Sequence, residues 1–151
     1  MTNQPTPADE LRAAAEKLRA LATAATPGPW RDHDTHLGQY GYAATVLSGE
    51  GNDTDLRAWL PSMSQTPWDE TRNAWPDAAY IATMHPLVGL ALAKLLEDCA
   101  ELHEAKLPGH RGQVPPGCQW CGDEDFPCSD MRNALAVARA LENKEPTTCE
   151  P

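Results

Sequence analysis

Three cysteines within eleven residues carry the clearest chemical signal in this sequence. They are Cys118, Cys121 and Cys128, in the order C-x2-C-x6-C, inside the run CQWCGDEDFPC. A C-x2-C turn places two thiolates around one small tetrahedral cation and directs backbone N–H groups at the sulfur atoms. Gly122 suits such a turn, because glycine adopts a positive φ without strain. The spacing therefore predicts a zinc site rather than a chance group of buried thiols.

The fourth ligand is less well determined by spacing. Cys99 and His103 are four residues apart on a predicted helix, so both side chains lie on one face. His110 lies in the loop that precedes Cys118, and Asp123 or a water molecule is a further candidate. Geometry favours His103 and leaves the other candidates open.

Residues beside the cysteines suggest further roles. Cys128 precedes a predicted helix, whose dipole would favour the thiolate form of this side chain. Trp120 lies between two cysteines, so we expect it to be partly exposed and to contact a protein partner. The acidic run Asp123-Glu124-Asp125 is interpreted as an exposed part of the same loop.

The rest of the sequence offers no recognised catalytic motif. It has no Ser/His/Asp signature, no glycine-rich phosphate loop and no H-E-x-x-H. His33 and His36, with Asp32 and Asp34, are interpreted as a solvated loop, and His85 as a helix-boundary residue. We therefore assign no catalytic residues, and the sequence leans towards a protein that is not an enzyme.

Two of the three predicted helices are marked by their ends. The first covers about residues 7–25, with Thr6 as its cap and Pro7 at its first position. The last begins at Ser129-Asp130, which supply cap chemistry, and its apolar stripe runs to Leu141. Both segments are therefore predicted to be amphipathic helices with one buried face.

The long central helix is predicted to be interrupted. It begins near Pro76, breaks at His85-Pro86, where the proline ring disfavours a continued helix, and then runs to about Lys106. Its apolar residues recur at helical spacing and are predicted to form the buried face. These residues are Val88, Ala91, Leu92, Leu95, Leu96, Cys99 and Leu102.

The segment 32–75 has the weakest pattern. Residues 40–48 have the aromatic and β-branched content of a strand, and residues 53–60 fit either a short helix or a second strand. Residues 61–76 are polar and bounded by prolines, which is typical of a loop. The predicted fold is α+β and mostly helical, with three main helices, a small β-hairpin or sheet and a zinc knuckle.

Length, composition and charge limit the possible functions. The chain has 151 residues, 41% of them hydrophobic, and we expect a single domain over 1–151, with the knuckle loop at 110–130 and a flexible tail at 144–151. A net charge of −10 opposes a broad phosphate-binding face and disfavours a nucleic-acid partner. No apolar run approaches the ~18 residues of a membrane span, and no signal peptide is recognised, so we expect a cytoplasmic protein with reduced thiols.

Four segments occur in an order that resembles a known group of proteins. They are ATPGPW (residues 25–30), DAAYIATMHP (77–86), ELH (101–103) and C-x2-C-G with F-P-C and R-x-A-L-A (118–136). They resemble segments of ead-like and related small zinc-binding proteins of actinobacteria and their phages. The resemblance implies that His103 is the zinc ligand beside the three cysteines, and it implies no known reaction.

These observations favour a small zinc-stabilised accessory protein of phage or mobile-element origin. It would act by binding another protein, with inhibition as one form of that action. A nucleic-acid-binding zinc module and a metal-dependent hydrolase are the alternatives. The first needs a basic surface, and the second needs an open zinc position with a general base beside it.

Overall fold

A computed structural model of the protein describes residues 4–36, 44–60, 74–103 and 117–142. Within these ranges the chain forms four α-helices and one three-stranded antiparallel sheet, which confirms the predicted α+β, mostly helical fold class. The chain divides into two compact units, Met1–Ala20 with Ala91–Pro151, and Leu21–Leu90. In chain order the elements are α1 (Pro7–Ala24), β1 (Trp30–Asp34), β2 (Ala44–Ser48), β3 (Asp55–Leu60), α2 (Trp75–Thr83), α3 (Pro86–Leu102) and α4 (Ser129–Leu141).

The first helix begins with Thr6 as its cap, as predicted, and the cap is reciprocal with Asp9. The Asp9 N–H donates to Thr6 Oγ1 at 3.2 Å, while the Thr6 N–H and hydroxyl donate to Asp9 Oδ2 at 3.1 and 2.6 Å. The bond from the Thr6 hydroxyl, followed by that from its N–H, lowers the pKa of Asp9, because both favour the charged carboxylate. The helix ends at Ala24, one residue before the predicted end.

The core of the first unit is built from α1, α3, α4 and two cysteines. Four of the six buried residues that α1 and α3 contribute to it are alanines. Arg139 pairs with Glu10 at 3.0 Å and Arg19 pairs with Glu97 at 2.5 Å, which connects α1 to the other two helices. The buried residues are Leu11, Ala14, Ala15, Ala93, Leu96, Ala100, Cys118, Cys128, Met131, Leu135 and Ala138.

The buried face of α3 differs from the predicted one. Leu96 is buried, but Ala93 and Ala100 share the core with it, while Leu95 and Leu102 are 63% and 44% exposed. Because α3 is apolar around most of its circumference, periodicity did not distinguish its faces. The prediction was therefore wrong at both leucines and at Ala91, which is also exposed, and apolar surface is left uncovered in the described structure.

The ends of α3 are partly as predicted. Its start at Pro86 confirms the predicted break, and the Val88 N–H donates to the His85 carbonyl at 2.9 Å. Its end at Leu102 corrects the predicted end near Lys106, because the chain leaves the helix at His103 and directs that side chain at the cysteines. Lys106 itself lies outside the described residues.

The second unit is a sheet covered by a helix. β2 lies between β1 and β3, with Val46 opposite Asp32 on one side and opposite Ala58 on the other. Ala78 and Ala82 of α2 form the buried core of this unit together with residues of β2. The sheet therefore buries one face against a short apolar helix.

The weakly patterned segment contains one missed element. β1 forms where a solvated loop was predicted, because its polar side chains lack alternation and its pairing with β2 is not local. The ambiguous segment 53–60 is resolved as strand β3. Residues 40–43 of the predicted strand, the predicted loop at 61–73 and the predicted tail at 144–151 lie outside the described ranges.

No single helix among the described residues is long and apolar enough to cross a membrane. α2 and α3 meet that criterion only when taken together, across a bend of 56°.

Candidate metal centre

One histidine and three cysteines converge in the first unit. They are His103, Cys118, Cys121 and Cys128, called the Cys3His cluster below, and their ligand atoms all lie within 4.8 Å of one another. His103 Nδ1 is 3.1 Å from Cys128 Sγ and 3.5 Å from Cys118 Sγ. Cys121 is exposed, and the other three side chains are buried. The structure thus brings together the four residues that the sequence singled out.

The cluster is assembled from three segments of the chain. His103 directly follows α3, and its N–H still donates to the Cys99 carbonyl at 3.1 Å. Cys128 occupies the N-cap position of α4, so the predicted cap at Ser129 is wrong, and Ser129 is the first helical residue. The Ser129 N–H donates instead to Asp123 Oδ2 at 3.4 Å. Two helix ends are therefore directed at one turn that carries the remaining cysteines.

The turn between Gly117 and Asp123 has the backbone features of a metal-binding knuckle. The Cys118 N–H donates to the Asp123 carbonyl at 2.8 Å, which closes the turn. Gly122 has a φ of +74°, a conformation that side chains rarely adopt. A Cβ on Gly117 would lie 2.5 Å from the Asp123 oxygen, so a side chain there would displace the turn. Asp123 thus shapes the turn, a role that nothing in its spacing indicated.

The pKa values of the two buried thiols, Cys118 and Cys128, are shifted in opposite directions. Burial alone would raise the pKa of Cys118, but hydrogen bonds from the backbone N–H groups of Cys121 and Trp120 and from the Cys121 and His103 side chains together lower that pKa to about 6. Burial, together with the neighbouring Cys118 and Cys121 sulfurs, raises the pKa of Cys128 to about 11, although a backbone hydrogen bond from Met131 acts in the opposite direction. The expected effect of the α4 dipole on Cys128 is therefore overcome. A cation held between these sulfurs would favour the thiolate form of each.

The dimensions and donor types suit a small tetrahedral cation. With Zn–N and Zn–S bonds of about 2.0–2.3 Å, neighbouring donors of a tetrahedral site are about 3.5–3.8 Å apart. The measured separations of 3.1 and 3.5 Å, and the 4.8 Å limit for the group, bracket this value. Four protein donors also form a complete ligand set. The cluster is therefore compatible with a metal ion such as zinc.

The structure places neither Cys99 nor His110, the alternatives to His103 as fourth ligand, in the Cys3His cluster of the described residues. Cys99 is not part of the Cys3His cluster, and burial, followed by Asp130 and Cys118, raises its pKa. His110 lies outside the described residues. Asp130 Oδ2 is 3.9 Å from His103 Nε2, on the side of the ring opposite the sulfurs. A carboxylate in this position is typical of the outer shell of a metal site, and the sequence pattern did not reveal it.

The exposed residues of the turn follow the prediction. The Trp120 side chain is 66% exposed, and Glu124 and Asp125 are also exposed. The exposure of Trp120 is thereby confirmed, and its contact with a partner stays a prediction.

The other candidate residues do not assemble a second centre. His33 is exposed on β1, and His36 Nδ1 is 3.4 Å from Asp34 Oδ2. His85 Nδ1 accepts a hydrogen bond from the Leu87 N–H at 3.3 Å, which confirms its place at a helix boundary. Across the part of the chain that the structure describes, the Cys3His cluster is the one group of metal-ligating side chains found.

Comparisons with protein-family models, curated proteins and solved structures find no match for this chain.

Proposed function

We propose that the Cys3His cluster binds one zinc ion, which stabilises the surrounding unit. The observation that carries this proposal is the convergence of four donors from three segments around a space of tetrahedral size. Thiolates and imidazole are the ligands that zinc prefers, and a set of four protein ligands is typical of structural sites. When bound, zinc would supply a crosslink between the end of α3, the turn and the start of α4.

We further propose that the protein acts by binding another protein. A complete ligand set supports a structural role for the metal, so the action would depend on the surface that it holds in place. Trp120 projects from the turn between two ligands, and exposed aromatic residues often dominate binding energies. The net charge of −10 supports a basic protein surface rather than nucleic acid as the complementary partner.

The motif resemblance supports a more specific proposal about origin. The segments at residues 25–30, 77–86, 101–103 and 118–136 resemble those of ead-like and related proteins of actinobacteria and their phages. An accessory protein of such a phage or mobile element would act in the host cytoplasm. There, reducing conditions would keep the thiols available for zinc.

Zinc content tests the first proposal directly. Protein purified without added metal is expected to contain about one equivalent of zinc by mass spectrometry, because one four-ligand site is proposed. A Cys118→Ser/Cys128→Ser double variant should contain almost none. Cys99→Ser, which alters a thiol outside the cluster, should keep its zinc. A wild-type protein that is fully folded and metal-free would contradict the proposal.

Affinity capture tests the second proposal. The wild-type protein is expected to retain a specific partner from an actinobacterial lysate, and Trp120→Ala is expected to lose it. Tyr80→Ala is the matched control, because Tyr80 is equally exposed, at 67%, and lies on α2. Loss of the partner in both variants, or in neither, would contradict a specific role for Trp120 in the binding surface.

A further inference from the structure

An open apolar groove lies between α3 and α4 in the first unit. It has a volume of about 380 Å³, and seven of its eleven lining residues are apolar or cysteine. Leu95, Leu102 and Val137 are among them and are 63%, 44% and 37% exposed. Burial of Leu95 and Leu102 was predicted from the periodicity of α3. Burial of Val137 would also be favourable, because it would remove apolar surface from water. Contiguous apolar surface of this kind marks an interaction site more often than a scatter of single residues does.

The charges of the groove have one sign. Asp98 and Asp130 line it, with side chains 43% and 65% exposed, and no lysine or arginine is among the lining residues. Lys94 pairs with Asp98 from outside the lining, and Asp130 Oδ2 is 3.9 Å from His103 Nε2. His103 also lines the groove, but its Nδ1 faces the cysteine sulfurs. The groove therefore combines an apolar floor with an acidic rim.

The acidic charge of the groove favours a basic partner over a second copy of the chain as its occupant. A second copy of the chain would bring another protein of net charge −10 against an acidic rim, which opposes association. A basic partner would gain from the same charges and would be attracted at long range. The stretch of α3 from Leu92 to Leu102 rises about 15 Å, which matches about three turns of a partner helix.

We propose that the α3–α4 groove binds a basic amphipathic helix of the partner protein. Its apolar face contacts Leu95, Leu102 and Val137, and its lysine or arginine side chains lie beside Asp98 and Asp130. This inference rests on the proposed protein-binding function and names the surface and the partner chemistry. It also connects the two sites, because His103 belongs to the Cys3His cluster and to the groove lining.

The probe is a fluorescein-labelled peptide of leucine, lysine and alanine, about 14 residues long, with leucines at positions i, i+3, i+4 and i+7. Two control peptides are used: the same composition in scrambled order, and the same leucine pattern with glutamate in place of lysine. Fluorescence anisotropy with the zinc-loaded protein is expected to show binding of the patterned lysine peptide alone. Equal binding of the scrambled peptide would show simple charge attraction and overturn the groove assignment. Equal binding of the glutamate peptide would contradict the proposal that the partner helix is basic.

Variants of the groove complete the test. Leu95→Gln is expected to weaken peptide binding by about tenfold or more, because it removes a large apolar contact. Leu87→Gln is the matched control, since Leu87 is on the same helix, is 55% exposed and lies outside the groove. Asp98→Asn should weaken binding of the lysine peptide, while Glu16→Gln, an equal charge change on α1, should not. Circular dichroism checks that each variant is folded.

Two outcomes separate this inference from the function on which it rests. If zinc content and Trp120-dependent capture persist while Leu95→Gln and Leu87→Gln behave alike, the groove assignment falls and the proposed function stands. If sedimentation shows a dimer that Leu95→Gln dissociates, a second copy fills the groove, and the basic-helix partner is overturned.

Discussion

Replacement of His103 by alanine is expected to lower zinc affinity and melting temperature together. The change removes one of four donors, and loss of even an outer-shell contact typically weakens metal binding 10–100-fold. We therefore expect a loss of at least about a hundredfold in a competition titration with a zinc indicator. Structural zinc contributes on the order of 10 kcal/mol to the folding of small zinc peptides, so the melting temperature should fall with the affinity.

A second condition separates ligation from packing. His103 is 7% exposed, so its loss also removes some buried contacts. If ligation dominates, the difference in melting temperature between wild type and His103→Ala should shrink strongly when both proteins are stripped of metal by a chelator. A difference that is unchanged by the chelator would assign His103 a packing role instead.

His110→Ala is the control for the choice of histidine. His110 was the competing candidate in sequence, and the structure places His103 Nδ1 against two of the sulfurs. We expect His110→Ala to change neither zinc affinity nor melting temperature by much. Equal losses in both variants, or a loss for His110→Ala alone, would contradict the assignment.

The candidate site was readable from sequence because most of its signals are local. The C-x2-C spacing and Gly122 fall within one turn, and the structure gives Gly122 the positive φ expected of a knuckle. Cys128 was recognisable as a neighbour of a helix start, although it takes the N-cap position itself. His103 required a long-range choice, which its position on the predicted helix and the motif resemblance favoured.

The outer contacts of the site could not be read in this way. Asp123 closes the turn through its carbonyl and caps α4 through its carboxylate, yet in sequence it was an acid in an exposed run and a candidate fourth ligand. Asp130 approaches His103 only because α4 folds back beside the end of α3. Such roles depend on tertiary contacts between distant atoms, which residue spacing does not predict.

The fold shows the same division between local and non-local signals. Thr6 and Pro7 marked the start of α1, and Pro86 marked the start of α3, because capping and proline sterics act within a few residues. β1 was missed, since its polar residues form a strand only through pairing with β2. The buried face of α3 was wrongly predicted at Leu95, since leucine and alanine compete equally in a periodicity count.

The first unit shows why a metal would matter to this chain. Five of its eleven core residues are alanine and two are the cysteines Cys118 and Cys128. Small side chains bury little apolar area, so each contributes less than a leucine would to stability. A crosslink between the end of α3 and the start of α4 would offset this deficit in the region where the core consists of thiols.

Cys121→Ser is expected to reveal the metal more clearly than any core substitution. Cys121 is exposed, and serine has nearly the same size as cysteine. Exposed substitutions away from special features usually change stability by less than about 0.5 kcal/mol. If Cys121 is a zinc ligand, the same change replaces a thiolate with a poorly coordinating hydroxyl. We then expect loss of most bound zinc and a fall in melting temperature comparable to that of His103→Ala.

Cys99→Ser provides the matched comparison, because the chemical change is identical and Cys99 is more buried than Cys121. Cys99 is half-buried on α3 and packs against the core of the first unit, so its substitution should cost some stability while zinc content stays near one equivalent. The two variants therefore predict a reversal: the exposed cysteine matters to metal and stability, and the partly buried one matters to packing alone. If zinc content and melting temperature are unaffected by Cys121→Ser, then Cys121 is not a ligand, and the Cys3His cluster has three protein donors.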